Sequence, residues 1–321
     1  MRKLLLIAGS AVVITFGFWI AVASYFYNDI NSRTRPPLDH DITMSPSPDG
    51  KSLVFNAAGE GGTDLYLFEL TTKAVRLVAR TPDYEVNPRF SPDGQSIVYE
   101  AGHPGELADH VYTRNLATGR VQQVTSGKDN DRSPMFFPDG KRIVFARDTH
   151  GGPHLLAPSW SDRGTLWSIN VDGSGLKRLL PEDIAALSPG ISSDGKSLLW
   201  WNEKGVFTAP SNGKGAPSQI AGENARDSAF APHDRRIVYI AGEFVGNFQI
   251  CVVSVNGGTS TVLTQAGKAC MHPVFSPDGA TIYYLIDYGV ANGLWQIKSN
   301  GSQPQRLANT TLFTSPLDKN P

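Results

Sequence analysis

One short motif recurs six times along the 321 residues, and it limits the possible folds more than any other feature. It reads SPSPDGKSLVFNA at 45–57, RFSPDGQSIVYEA at 89–101, FFPDGKRIVFAR at 136–147, ISSDGKSLLWWNE at 191–203, FAPHDRRIVYIAG at 230–242 and VFSPDGATIYYLI at 274–286. Measured at the turn glycine, with Arg235 standing in its place in the fifth copy, successive spacings are 44, 46, 55, 40 and 44 residues. Proline presets φ, aspartate caps the turn and glycine takes a positive φ, so each copy is a hairpin tip. The residues after it, such as Ile97-Val98-Tyr99, are β-branched or aromatic and apolar on both strand faces, which predicts a strand covered on both sides. A third strand follows each tip, among them LYLFEL from 65, LWSINV from 166 and QICVVSV from 249. A tight turn and a more polar fourth strand, suited to a sheet edge that meets water, complete the unit.

A four-stranded meander repeated at this period predicts an all-β, six-bladed β-propeller of four-stranded antiparallel blades occupying residues 41–321. The stretch GISSDGKS at 190–197 fits the phosphate-binding pattern G-x-x-x-x-G-K-[ST] at every position. A working phosphate loop needs a helix next, whose N-terminal N–H groups converge on the phosphates. LLWWNEKGVF follows instead, and the equivalents at Gly50, Gly94 and Gly140 lack the upstream glycine. The stretch is therefore the hairpin tip of blade 4, and nucleotide binding is not expected.

Lys and Arg total 29 against 30 acidic residues, which gives no electrostatic basis for a nucleic-acid partner. From Leu4 to Asn28 no side chain is charged, and Arg2 and Lys3 precede the run. Residues 1–30 are expected to be a transmembrane anchor with the N-terminus in the cytoplasm, followed by a linker at 31–40. A cleaved signal peptide is the alternative, because Ala21-Val22-Ala23 has the small-x-small form of a cleavage site. Both readings place the propeller in the periplasm or outside the cell. That compartment permits a disulfide between Cys251 and Cys270, but a buried thiol suits Cys251 equally well.

The elements PRFSPDGQSIVY at 88–99 and PVFSPDGATIYY at 273–284 are similar to the repeat of the TolB-type β-propeller family. The resemblance covers all six blades, from about Asp41 to about Ala308, and it implies the propeller fold. For function it implies only a class, the binding of proteins in the cell envelope. Periplasmic members carry an additional N-terminal α/β domain, which has no counterpart in residues 31–40. Peptidases with similar repeats need a G-x-S-x-G nucleophile elbow, and the sequence contains none.

In such a ring, loops from each fourth strand to the next first strand, and from second to third strands, gather at one mouth of the central channel. This brings Asp83, Glu85, Asp129, Asp131, Arg132, Arg226, Asp227 and His272 to one rim. They form either a polar, net acidic mouth for a basic peptide segment or cation, or simple turn caps with neutralising partners. The long spacing comes from RDTHGGPHLLAPSWSDRG at 147–164, an insertion in blade 3. Its Trp160, Leu155 and His154 are candidate partner contacts. His150 and His154 are four apart with no helix predicted, so no metal site is expected there; no cofactor and no catalytic set are expected either. The leading expectation is a membrane-anchored, non-catalytic module that binds a protein or peptide in the cell envelope. The alternative is a metal-dependent hydrolase or lyase centred on the channel.

Overall fold

The computed structural model describes residues 42–59, 62–81, 84–102, 108–149, 164–242, 247–286, 293–309 and 312. Among them, 24 strands form six four-stranded antiparallel sheets, each a meander of consecutive strands. The first strands are Met44–Pro46, Tyr84–Phe90, Asn130–Phe136, Leu187–Ile191, Ala225–Phe230 and Cys270–Phe275. These line up around the centre, and the first strand of blade 6 packs beside that of blade 1, which closes the ring. The expected anchor and linker lie outside the described residues. No helix among the described residues is long and apolar enough to cross a membrane.

Two-residue periodicity explains how one sheet serves two seams. In the second strand of blade 1, Leu53 and Phe55 pack with Tyr283 and Leu285 of blade 6. Val54, between them, packs with Ile97 and Tyr99 of blade 2. The same alternation recurs around the ring, so that six apolar clusters occupy the six seams. Trp200 is fully buried in the seam between blades 3 and 4. The outer strands are short and exposed, such as Lys177–Arg178 and Thr261–Val262. Beyond the sixth blade, Leu312 is buried among blade 1 and blade 6 side chains, so the C-terminal segment contributes to the closing seam.

The hairpin tips have a second job. Gly94, at φ 69°, has only Pro48 of the preceding blade's tip within van der Waals reach of where a Cβ would stand, and Gly50 faces Pro277 of blade 6 in the same way. The motif's Pro and Gly therefore abut from blade to blade as well as forming the turn. In blade 4, the Gly195 N–H donates to the Ser192 carbonyl and Ser197 opens a strand, so no helix follows the phosphate-like stretch. Blade 5 departs from the rule: Ala231 N–H donates to the Arg236 carbonyl as Ser91 does to Ser96, so Asp234, not Arg235, takes the glycine's place. Arg236 then donates to the Asp234 carboxylate at 2.6 Å.

Cys251 and Cys270 are buried free thiols. Cys251 belongs to the seam between blades 4 and 5 and Cys270 to the seam between blades 5 and 6, so a sheet separates them. Burial pushes the Cys270 thiol up to about 11. Both thiols should therefore react with a disulfide reagent slowly in the native protein and fully after denaturation, as followed by thiol titration. Leu312→Ala should cost about 2–5 kcal/mol of stability by urea unfolding, the usual range for emptying a buried leucine site.

Candidate functional site

The channel wall has a repeated local distortion. In the first strands of blades 2 to 6 the register with the second strand slips by a bulge. At each slip one polar residue takes a left-handed backbone: Asn87 (φ 54°), Ser133 (51°), Ser188 (46°), Asp227 (48°) and His272 (49°). Each stands seven residues before the glycine position of its hairpin tip. A non-glycine residue in this region costs of order 1–3 kcal/mol, so its neighbours must hold it there. Among the described residues blade 1 shows no such register slip, and Thr43 occupies the equivalent position.

What holds these residues differs between blades. In blade 1 the Asn56 side-chain oxygen accepts bonds from the Thr43 N–H at 2.8 Å and hydroxyl at 3.0 Å. Glu100, at the matching position of blade 2, accepts from the Asn87 side-chain amide at 2.8 Å and from the Ser133 N–H at 2.9 Å. One buried carboxylate thus ties the bulges of two blades together. A second carboxylate, Asp109, lies beside it, accepts a hydrogen bond from the Tyr84 hydroxyl and sits 3.5 Å from Arg132 Nε. Burial, then the charge of Asp109, pushes Glu100 up to about 7. Burial also raises Tyr84 far above its ordinary range.

Across the channel the chemistry changes. His272 Nδ1 lies 3.4 Å from an Asp227 carboxylate oxygen, while its Nε2 is enclosed with no hydrogen-bond partner among the described residues. Arg226 stacks its guanidinium 4.1 Å from the Phe248 ring centre. From blade 2, Arg89 donates to the Met44 carbonyl of blade 1. Desolvation pulls Arg89 down to about 10 and the Asp227 carboxylate acts against that shift. Blades 2 and 5 are opposite one another in a ring of six, so this attraction acts across the channel.

Several rim residues expected from the sequence are committed to internal pairs. Asp131 is fully buried and accepts two bonds from Arg147, at 2.6 and 2.7 Å, while Asp129 lies 3.7 Å from the same guanidinium. Glu85 is buried and accepts from the Thr81 hydroxyl at 2.5 Å. Arg132 joins Asp109, and Asp227 joins His272. Asp83, His154, Leu155 and Trp160 lie outside the described residues. Sequence reasoning passed over Arg89, Glu100, Asp109, Tyr84 and the bulge ring. A signal for the ring was present, since a polar residue precedes proline at a constant offset in Asn87-Pro88, Ser133-Pro134, Ser188-Pro189 and His272-Pro273.

Six radial sheets around a polar, charge-lined channel define a six-bladed propeller with its candidate site on the axis. The family model described as the TolB beta propeller domain matches residues 38–239, more than half of the chain. The protein belongs to that family. Solved structures of similar fold include a putative TolB from Agrobacterium tumefaciens, at 18% identity over 75% of this chain and 86% of that one, with a TM-score of 0.63. An oligogalacturonate lyase from Vibrio parahaemolyticus matches at 14% identity over 84% and 78%, with a TM-score of 0.59. The tricorn protease matches at 16% identity over 84% of this chain and 26% of that one, with a TM-score of 0.60. At these identities the likeness is one of fold.

The Glu100 cluster predicts a pH dependence. A carboxylate raised from 4.5 to about 7 on folding binds more protons in the native state, so stability falls as pH rises between those values and levels off above them. Glu100→Gln, which keeps an acceptor for Ser133 and Asn87, should flatten that slope in urea unfolding measured from pH 5 to 8.

Proposed function

We propose that this protein is a membrane-anchored, exported propeller that captures a protein or peptide segment of the cell envelope at the mouth of its channel. The supporting observation is the ring of left-handed bulges. Five blades each spend backbone strain to turn a short polar side chain at one level of the channel wall. Asn87, Ser133, Ser188, Asp227 and His272 together offer donors and acceptors suited to an extended peptide backbone and its polar side chains. The blade 3 insertion with His154, Leu155 and Trp160 would add an apolar contact beside the mouth, and Asp83 with Asp129 would add acidic ones.

A second reading, a metal-dependent hydrolase or lyase, draws on one feature. His272 is oriented through Nδ1 by a carboxylate and keeps a bare Nε2, the arrangement that second-shell carboxylates impose on metal-ligating histidines. Elemental analysis of the purified full chain separates the two: a stoichiometric transition metal would favour the second reading.

Affinity capture from detergent-solubilised source membranes tests the first. Ser188→Tyr, which crowds the channel, should abolish recovery of the partner, and Trp160→Ala should weaken it about tenfold or more. Val262→Lys, on an exposed outer strand, should leave recovery unchanged. Equal recovery with Ser188→Tyr would remove the channel from the proposal. The chain should also stay in the membrane pellet through carbonate extraction, and release into the supernatant would replace the anchor with a cleaved leader.

A further inference from the structure

Arg89 differs from three arginines of blades 1 to 3 that lie close to the mouth. Arg80, Arg132 and Arg147 each have a carboxylate partner, at 2.9, 3.5 and 2.6 Å. Among the described residues Arg89 has no carboxylate within salt-bridge distance, and its one hydrogen bond goes to the Met44 carbonyl. It is partly buried rather than fully enclosed, yet protein surrounds it closely enough to desolvate the guanidinium, the combination expected of a side chain inside a channel. Two residues beyond the bulge, the other bulged blades carry Met135, Gly190, Ala229 and Val274 at the same register, none of them charged. The nearest compensation is Asp227, on the opposite wall. A guanidinium withdrawn from bulk water without a bound anion is costly, and it recovers that cost when a planar anion docks on its free donors.

We infer that Arg89 is a receptor for a carboxylate carried by the segment that enters the channel. This rests on the channel-binding reading above. The class of anion follows from the surroundings. A carboxylate matches the guanidinium fork and neutralises its single charge, whereas a phosphate dianion would leave one negative charge uncompensated opposite the Asp227 carboxylate. The carboxylate is either an acidic side chain or a chain terminus, and both present the same atoms to Arg89.

Small probes distinguish these sources. N-acetylglutamate N-methylamide carries only a side-chain carboxylate, N-acetylalanine only a terminal one, and N-acetylglutamine N-methylamide neither. Titrated into the full chain and followed by thermal shift, at least one acid should raise Tm while the amide does not; which acid acts identifies the source. Arg89→Gln, whose amide still donates to the Met44 carbonyl, should weaken that response by about ten- to a hundredfold. Should that variant fail to fold, Asp227→Asn tests the same point from the other side and should strengthen acid binding severalfold. Equal responses to acid and amide, a wild-type response retained by Arg89→Gln, acid binding weakened in Asp227→Asn, or tighter binding of inorganic phosphate than of either acid would overturn the assignment. If Arg89→Gln captures the membrane partner as well as wild type does, Arg89 is discarded and the channel reading stands. If Ser188→Tyr captures it equally, the channel reading itself falls.

Discussion

Everything in this molecule depends on burying both faces of every blade's middle strands. A lone four-stranded sheet of this sequence would expose two oily faces, and stacking six of them in a line would still leave one such face at each end. A ring leaves none. No strand is shared between the first and last blades among the described residues, so the closing seam is held by side chains: Met44, Leu53 and Phe55 against Tyr283, Leu285 and Leu294, with Leu312 added from beyond the sixth blade. The period of two in the second strand sends alternate residues to alternate seams. A single substitution there therefore loosens one seam and spares the other.

The first strands obey a different rule because they face the channel. They have fewer apolar neighbours to satisfy, and the bulges exploit that freedom by rotating one residue per blade into the left-handed region. Strain of this kind persists only where the surroundings over-determine it. Glu100 supplies that determination for Asn87 and Ser133, and Asp227 is braced against His272. The channel wall is thus built as a set of linked pairs between neighbouring blades.

The sequence carried the fold almost completely, because the hairpin motif is local chemistry repeated six times. Pro, Asp and Gly act within four residues, and the apolar run after them acts through strand periodicity alone. The site was less legible for a physical reason. Asp131 looks like a free rim acid in the sequence, yet its partner Arg147 lies on the neighbouring strand 16 residues away, and only the pairing register brings them together. Arg89 looked like one more residue of the motif, since its isolation depends on blades 1 and 5. Cys251 and Cys270 likewise required the seams to be known before a disulfide was excluded. The resemblance in the hairpin motif was sound for the family and silent about the channel.

In a ring of equivalent units, specific chemistry has to sit where a unit departs from the others. Blades 1 and 2 make the comparison directly. Asn56 performs with a neutral amide the bracing that Glu100 performs with a carboxylate, so architecture alone needs an acceptor there and not a charge. Charge at Glu100 makes that bracing sensitive to protons near neutrality, and Arg132 with the hydrogen bonds from Ser133 and Asn87 opposes the repulsion from Asp109 and keeps the acid compensated within the wall. Arg89, one strand away, departs from its counterparts in the opposite sense: it adds a charge and leaves it unmatched at close range. An acid compensated inside the wall is part of the scaffold's tuning, whereas a cation left open to the channel is available to whatever enters, and that asymmetry gives an otherwise six-fold opening a preferred side.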